Sequence, residues 1–241
     1  YATLLPDHAR RLFSPDFLSG SDSPSLFREK FGCLLDEDAV PVWREYRKLR
    51  YGVIRLTEGC PFQCSYCGVG RIARYRVRPL SSALREAEEL ASLGVKDLVF
   101  YDDALLFDFG GVLLPFLNAL TRHSLRFRFH TPNGLHARFI TRETAAALKG
   151  AGFETLFLSL ETADGKSAVT AQKVSREEFE SAVSHLAEAG FRLPAISAYL
   201  LLGHPAISLE EVRASVRFVN SLGLRAHLAE FPPVPGTQDG D

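Results

Sequence analysis

Residues 53–67 read VIRLTEGCPFQCSYC, an apolar run followed by a polar turn and three closely spaced cysteines. The first four residues form a short, mostly apolar run bounded by polar side chains, which predicts a strand. Cys60, Cys64 and Cys67 follow in a C-x3-C-x2-C pattern. Cysteines this close together are more often metal ligands than disulfide partners in a chain with few cysteines. The segment therefore predicts a strand whose following loop binds metal.

Five further apolar runs follow the first, and helical stretches separate them. Strands are predicted at residues 53–56, 98–101, 126–130, 155–160, 196–202 and 226–231. Ser175 and Ser208 each stand three residues before a glutamate, a capping-box pattern that marks the start of a helix. Thr141 opens another predicted helix, and the charged stretch 42–49 predicts one more. Strands that alternate with helices imply a parallel sheet joined by right-handed crossovers.

Polar residues or glycine stand at the predicted carboxyl end of nearly every strand. After the cysteine loop they are Asp102 and Asp103, His130 and Asn133, Ser159 and Glu161, Gly203 and His204, and Glu230. Barrel enzymes build their sites on this face from several strands, although the alternation alone also fits an open doubly wound sheet. We therefore predict a partial (β/α)6 TIM-like barrel over residues 51–241. Residues 1–50, with a short helical stretch at 8–13 and a linker-like stretch at 14–25, form an N-terminal extension.

Composition narrows the class of protein further. The 241 residues are 46% hydrophobic and 24% charged, enough apolar surface for a core and no case for global disorder. The net charge of -1 creates no overall field toward nucleic acid or an anionic membrane. No apolar run approaches the ~18 residues of a spanning helix. We therefore expect a cytoplasmic protein with no membrane and no evident nucleic-acid partner and, because methionine is absent, part of a longer chain.

The number of clustered thiolates bears on which metal they hold. A cubane iron–sulfur cluster normally takes four cysteines, one for each iron. Three ligands leave one iron open to bind a further group. A structural zinc site instead needs four ligands, usually in paired spacings, and the remaining cysteine, Cys33, stands outside the predicted barrel. The pattern favours a cluster with an open iron, and a zinc or simple electron-transfer module remains the alternative.

The C-x3-C-x2-C pattern, with the aromatic Tyr66 before the last cysteine and a strand before the first, resembles the signature of radical S-adenosylmethionine (radical SAM) enzymes. The resemblance extends over roughly residues 53–236. It implies that Cys60, Cys64 and Cys67 hold a [4Fe-4S] cluster whose open iron binds the amino and carboxylate groups of SAM. An electron from the reduced cluster would then split SAM into methionine and a 5′-deoxyadenosyl radical, which abstracts a substrate hydrogen.

The resemblance also implies contacts to SAM from later strand ends. Asp102 and Asp103 stand where the family contacts the SAM amino group, and a carboxylate there can accept a charge-assisted hydrogen bond. Ser159 and Glu161 match the position of a ribose or carboxylate contact, and strand alternation would point both the same way. Gly203 resembles the family's glycine beside the adenine. His130 and His204 are expected to be hydrogen-bonded rim residues rather than proton donors.

The Asp-Asp pair resembles the branch of the family that includes cobalamin-binding members. Residues 1–10 resemble the end of the cobalamin-binding domain that precedes many such barrels, although the D-x-H-x-x-G signature is absent. The leading hypothesis is a B12-class radical SAM enzyme, such as a C-methyltransferase. Its rival is hydrogen abstraction without cobalamin. Either would need a reductant such as flavodoxin or ferredoxin, and the substrate is not identified by the sequence.

Overall fold

The computed structural model describes residues 40–163 and 174–240. The strands are β1 Gly52–Ile54, β2 Thr57–Glu58, β3 Arg76–Val77, β4 Asp97–Phe100, β5 Arg128–His136, β6 Phe153–Glu161, β7 Ile196–Leu202 and β8 Arg225–Glu230. The α-helices are α1 Val69–Ile72, α2 Leu80–Ser92, α3 Leu114–Arg122, α4 Arg142–Ala151, α5 Arg176–Glu188 and α6 Leu209–Ser221. Predictions on residues 8–13, 14–25 and Cys33, and the resemblance over 1–10, lie outside the described residues. The division at residue 50 stays a prediction.

Six strands form one sheet in the order β1-β4-β5-β6-β7-β8, and every neighbouring pair is parallel. These are the six predicted strands, in sequence order and with helices between them. No described pairing joins β1 to β8, so the sheet is not closed. The predicted partial barrel of six parallel strands is confirmed. The short strands β2 and β3 pair separately, antiparallel, beside the cysteine loop.

Two predicted elements differ in the structure. The predicted helix at 42–49 is a single 3-10 turn, Trp43–Glu45, without a side-chain cap. Its Trp43 indole donates to Glu86 on α2 at 2.8 Å and Arg44 donates to Glu89 at 3.0 Å, so side-chain contacts with α2 rather than helical packing hold this stretch. The third predicted strand ended at residue 130, but β5 continues to His136. The strand passes Pro132 through register shifts, and such irregularities let a strand accommodate a residue that has no N–H.

The predicted helix starts are confirmed. Ser175 and Ser208 both form full capping boxes, each accepting from the amide of the glutamate three residues on. The Thr141 hydroxyl accepts from the Thr144 amide. Gly152 ends α4 at a φ of 100°, a left-handed conformation that favours glycine. These three caps fix where α4, α5 and α6 begin.

The core lies between the outer face of the sheet and the helices. Phe100, Phe129 and Phe153 stack there with ring centroids 5.0–5.6 Å apart. The opposite, inner face is less buried: Phe157 on β6 and Tyr199 on β7 are both half-buried. The inner face is therefore free to contribute side chains to a cavity. No helix in the described part of the chain is both long and apolar enough to cross a membrane.

Candidate functional site

The cysteine loop leaves β2 at Gly59, where the chain makes a sharp turn. Gly59 has a φ of 76°, and a Cβ there would stand 2.5 Å from the Ala73 carbonyl oxygen, so only glycine fits. Further along the loop the Cys67 amide donates to the Cys64 carbonyl at 3.2 Å. A Cβ at Gly70 would collide with the Phe62 carbonyl. The two glycines thus let the loop fold tightly against the backbone that follows it.

All three thiols of the loop line one cavity of about 340 Å³. Cys64 is buried, and Cys60 and Cys67 are half-buried. Asp103 and Ser159 line the same cavity, so it combines the cysteine loop with the carboxyl ends of β4 and β6. No three His, Cys, Asp or Glu side chains within residues 40–163 and 174–240 form a group that could hold a single metal ion. The donor set is three soft thiols around a common space, which suits a cluster whose irons each take one thiolate.

The structure separates the two aspartates after β4. Asp103 faces the cavity and forms an ion pair with Arg55 at 3.0 Å. Asp102 points instead to the chain that follows β1: its Oδ1 accepts from the amides of Leu56 and Thr57 at 2.8 and 2.6 Å and from the Thr57 hydroxyl at 2.8 Å. Asp103 therefore remains the predicted ligand contact, and Asp102 holds the segment that leads into the cysteine loop.

Burial dominates the electrostatics of Asp102. The side chain is almost fully buried, which raises its pKa from 3.8 to about 6 because the charged form loses its hydration. The hydrogen bonds from Thr57 and Leu56, and the charge of Arg55, oppose that rise without cancelling it. Asp102 is therefore a carboxyl group that changes its protonation state near neutral pH while it supports the loop.

The end of β6 is irregular. The pairing with β7 shifts between Ser159 and Glu161, and Glu161 has a φ of 67°, a left-handed conformation that is uncommon for a residue with a side chain. The shift interrupts the alternation that would point both side chains the same way. Ser159 lines the cavity and donates to the Gly134 carbonyl at 3.1 Å. Glu161 is buried and is not among the cavity's lining residues.

Tyr66 lies beside Glu161. Its pKa is raised well above the usual range, first by burial and then by the nearby Glu161 carboxylate and the Cys64 thiol. The phenol is therefore neutral at any physiological pH and can serve only as a hydrogen-bonding or packing group. Its predicted role beside the cofactor stays a prediction.

The loop after β7 holds His204, whose ring is buried. The Ala206 amide donates to its Nδ1 at 3.1 Å, and its Nε2 lies 3.1 Å from Asp239 Oδ2. Because Nδ1 accepts, the hydrogen bonds assign the proton to Nε2, which donates to Asp239. Gly203 has a φ of 84° and open space where a Cβ would stand, and it does not line the cavity.

The chain after β8 closes over the cysteine loop. We call residues 231–240 the C-terminal segment. Its Asp239 amide donates to the Ser65 carbonyl at 3.1 Å, and Arg71 donates to its Gly236 carbonyl at 3.0 Å. Together with the His204–Asp239 contact, these bonds join the cysteine loop to the carboxyl end of β7. Sequence analysis did not find this connection, because it depends on residues far apart in the chain.

His136, and not His130, lies at the carboxyl end of β5. His130, expected at the carboxyl end of its strand, contacts Asp97, the first residue of β4, at 3.0 Å and Thr155 at 3.0 Å. It is a hydrogen-bonded residue at the far end of the sheet, because β5 extends six residues beyond it. His136, at the end of β5, lines the cavity instead, and sequence analysis missed it because the strand was predicted to end earlier.

The cavity also has an aromatic wall that the sequence did not indicate. Phe62, Phe107, His136 and Phe139 all line it, and their ring centroids lie 4.9–6.1 Å apart in the contacting pairs. We call these four side chains the ring wall. They come from the cysteine loop, from the segment after β4 and from the end of β5 and the turn after it, so no local pattern in the sequence connects them.

Parts of this chain are similar in sequence to known proteins. A 50-residue stretch is 46% identical to the ribosomal protein uS12 methylthiotransferase RimO of Thermoanaerobacter sp., covering 20% of this chain and 12% of RimO. A longer match, 25% identical over 194 residues, is to the uncharacterized methyltransferase PH0819 of Pyrococcus horikoshii, covering 78% of this chain and 41% of that protein. The chain thus spans less than half the length of these curated relatives.

Solved structures share the fold. The radical SAM methyltransferase TsrM from Kitasatospora setae, in a structure with tryptophan substrate and a SAM analogue bound, superposes with a TM-score of 0.69 at 22% identity. The match covers 81% of this chain and 38% of TsrM. The model of the radical SAM superfamily matches residues 54–219, well over half of the chain and all of the sheet from β4 to β7. By this match, the chain belongs to the radical SAM superfamily.

Proposed function

We propose that this chain binds a [4Fe-4S] cluster through Cys60, Cys64 and Cys67 and reductively cleaves SAM at the open iron. The observation that carries the proposal is that all three thiols line one cavity together with Asp103 and Ser159 at the carboxyl ends of parallel strands. Barrel enzymes place their reactive groups at this face. When bound, the reduced cluster supplies the electron that divides SAM into methionine and a 5′-deoxyadenosyl radical.

The residues around the cavity have separate parts in this proposal. Asp103, paired with Arg55, presents a carboxylate that can accept from the ammonium group of SAM. Asp102 holds the backbone of Leu56 and Thr57, and so fixes the direction in which the chain enters the cysteine loop. Ser159 and the buried Glu161 remain the proposed contacts to the ribose or carboxylate of SAM.

We further propose that the reaction is a methyl transfer of the B12-dependent class. Two of the similar proteins are methyltransferases by name, and TsrM binds cobalamin and a [4Fe-4S] cluster in one structure and a SAM analogue in another. RimO is named as a methylthiotransferase. The rival is cobalamin-independent hydrogen abstraction by the same barrel. The electron would come from a flavodoxin- or ferredoxin-type protein in a reducing, cytoplasmic compartment.

Anaerobic reconstitution with iron and sulfide tests the cluster. We expect a brown protein that binds about four irons per chain, with an EPR signal of the reduced state that changes when SAM is added. Cys64→Ala should lose that signal and the formation of 5′-deoxyadenosine, whereas Cys33→Ala, the matched control, should keep both. A colourless zinc protein, or a cluster signal indifferent to SAM, would replace the enzyme by a non-catalytic binding module.

Cobalamin binding separates the two radical SAM hypotheses. We expect the full-length protein to bind cobalamin and to transfer a methyl group that originates from labelled SAM. A full-length protein that cleaves SAM and forms 5′-deoxyadenosine but binds no cobalamin would instead support hydrogen abstraction alone.

A further inference from the structure

The cavity beside the cysteines has walls of a distinct chemical kind. Five of the side chains that line it carry aromatic rings: the four of the ring wall and Tyr199 on β7. Asp103 is its one acidic side chain and is already paired with Arg55 at 3.0 Å, and no lysine or arginine belongs to its described lining. A strongly anionic substrate, such as a phosphate ester, would find no cation here.

The side-chain donors of three polar lining residues are already used. The Asn133 amide donates to the carbonyls of Tyr101 and Asp102, both at 3.2 Å. Ser159 donates to the Gly134 carbonyl at 3.1 Å, and the Tyr199 hydroxyl donates to the Pro132 carbonyl at 2.8 Å. What these residues still offer a ligand is acceptor oxygen, so a group that brings its own donor is favoured.

The rings are held in place before any ligand arrives. Phe62 lies 4.9 Å from His136 and 5.8 Å from Phe107 between ring centroids, in tilted and edge-to-face contacts. Tyr199, fixed through its hydroxyl, stacks on Phe157 at 5.0 Å and meets His227 edge-on at 5.0 Å. Phe107 is 40% exposed, so part of the ring wall remains open to solvent. Preorganised rings of this kind favour another planar ring over a saturated one of equal size.

Resting on the proposed function, we infer that the substrate of this site carries a neutral planar aromatic ring with a hydroxyl or N–H donor. The ring would pack against the ring wall and Tyr199, and its donor would meet the acceptor oxygen of Asn133. The same substrate class is expected whether the transferred group is a methyl group or a hydrogen.

The test uses the reconstituted protein and three uncharged probes: 2-naphthol, its saturated counterpart decahydro-2-naphthol, and 2-methoxynaphthalene, which lacks the donor. Binding is measured by saturation-transfer NMR and calorimetry. We expect 2-naphthol to bind about tenfold more tightly than the saturated alcohol, the preference that a few ring contacts provide. The affinity of 2-methoxynaphthalene should lie between those of the other two probes. Equal affinity of the aromatic and saturated alcohols would overturn the inference.

Variants locate the preference. Phe107→Leu and Tyr199→Leu remove a ring and should reduce the preference for 2-naphthol, whereas Tyr199→Phe keeps the ring and should retain it. Tyr46→Leu, which removes an exposed ring outside the cavity, is the matched control and should bind like the wild type. A preference that survives Phe107→Leu and Tyr199→Leu would place the probe elsewhere and overturn the assignment.

Two further measurements distinguish substrate binding at the rings from adenine binding there and from SAM cleavage. S-adenosylhomocysteine is added to the 2-naphthol complex: displacement of the probe would assign the rings to adenine and overturn the substrate class, whereas simultaneous binding supports it. Formation of 5′-deoxyadenosine is followed in the same samples. SAM cleavage without a ring preference refutes this inference alone, and a ring preference without SAM cleavage refutes the proposed function alone.

Discussion

Asp102 lies at the strand end where the sequence places it, but its role in the structure differs from the predicted ligand contact. Both aspartates after β4 are at the expected strand end, and a ligand contact was predicted for each. In the structure one oxygen of Asp102 accepts three hydrogen bonds, from the amides of Leu56 and Thr57 and from the Thr57 hydroxyl. The chain beyond Thr57 carries the cysteines, so Asp102 acts on the site through the loop.

The raised pKa of Asp102 gives a pH dependence with a definite sign. Because its pKa is about 6 in the folded protein against 3.8 ordinarily, the folded state binds the proton more tightly. The stability that this group contributes is fully present below pH ~4 and is lost as the pH rises to ~6. At ~1.4 kcal/mol per pKa unit, the loss amounts to at most about 3 kcal/mol.

Asp102→Asn removes this titration while keeping an acceptor oxygen for the two amides. We expect the free energy of unfolding of the variant, relative to the wild type, to improve by up to about 3 kcal/mol between pH 4 and pH 7. Urea denaturation of the apoprotein at both pH values measures it. An unchanged difference between the two proteins would show that Asp102 is ionised across the whole range.

Glu161 carries its side chain on a left-handed backbone, which costs about 1 kcal/mol for a residue other than glycine. Glu161→Gly should therefore leave the thermal stability of the apoprotein nearly unchanged, since relief of the backbone offsets the lost contacts of the buried side chain. SAM binding, measured by calorimetry on the reconstituted protein, should weaken. Undiminished SAM binding would mean that the left-handed turn, and not the carboxylate, is what this position contributes.

The cysteine loop is held in place by contacts from other parts of the chain. The C-terminal segment reaches it through Asp239 and Gly236, and His204 fixes Asp239 from the end of β7. A loop with few regular hydrogen bonds of its own depends on such contacts for its local stability. These contacts hold the loop against the cavity that its three cysteines line.

Asp239→Ala removes the partner of His204 and should loosen the loop. A loss of about 1 kcal/mol in local stability raises the rate of alkylation of the buried Cys64 about fivefold. Mass spectrometry of iodoacetamide-treated apoprotein measures that rate at each cysteine. Glu210→Ala, which breaks an exposed ion pair with Arg217, is the control and should leave the rate unchanged. If Asp239→Ala behaves like the control, the hydrogen bonds to the Ser65 and Gly236 carbonyls hold the loop without the His204 contact.

Local signals account for what was predictable among the elements. The capping boxes at Ser175 and Ser208 and the strand at 196–202 are found with the predicted positions, because each depends on residues adjacent in sequence. The extension of β5 past Pro132 was missed, because a proline ordinarily ends a strand and only pairing with β6 carries this one through. The ring wall and the contacts of the C-terminal segment were missed for the same reason: tertiary contacts, not neighbours, define them.

At the scale of the whole molecule, the alternation of strands and helices predicted the sheet but left its closure undecided. The structure describes a sheet whose outer strands, β1 and β8, each have one neighbour in it. Of these two edge strands, β8 is the more exposed, and its Leu228 side chain is 47% exposed. An inner face left open in this way leaves the rings of Phe157 and Tyr199 half-buried.

Hydrogen exchange distinguishes this open sheet from a closed barrel. Amides of β6, which has a paired strand on either side, should exchange slowest, and amides of β8 at least about tenfold faster, because an edge strand opens without disrupting the rest of the sheet. Mass spectrometry of the native apoprotein in deuterated buffer gives the rates by segment. If β1 and β8 were protected as strongly as β6, a hydrogen-bonded closure between them would follow. The cavity would then have no access from the side of the sheet, and its substrate would have to enter over the cysteine loop.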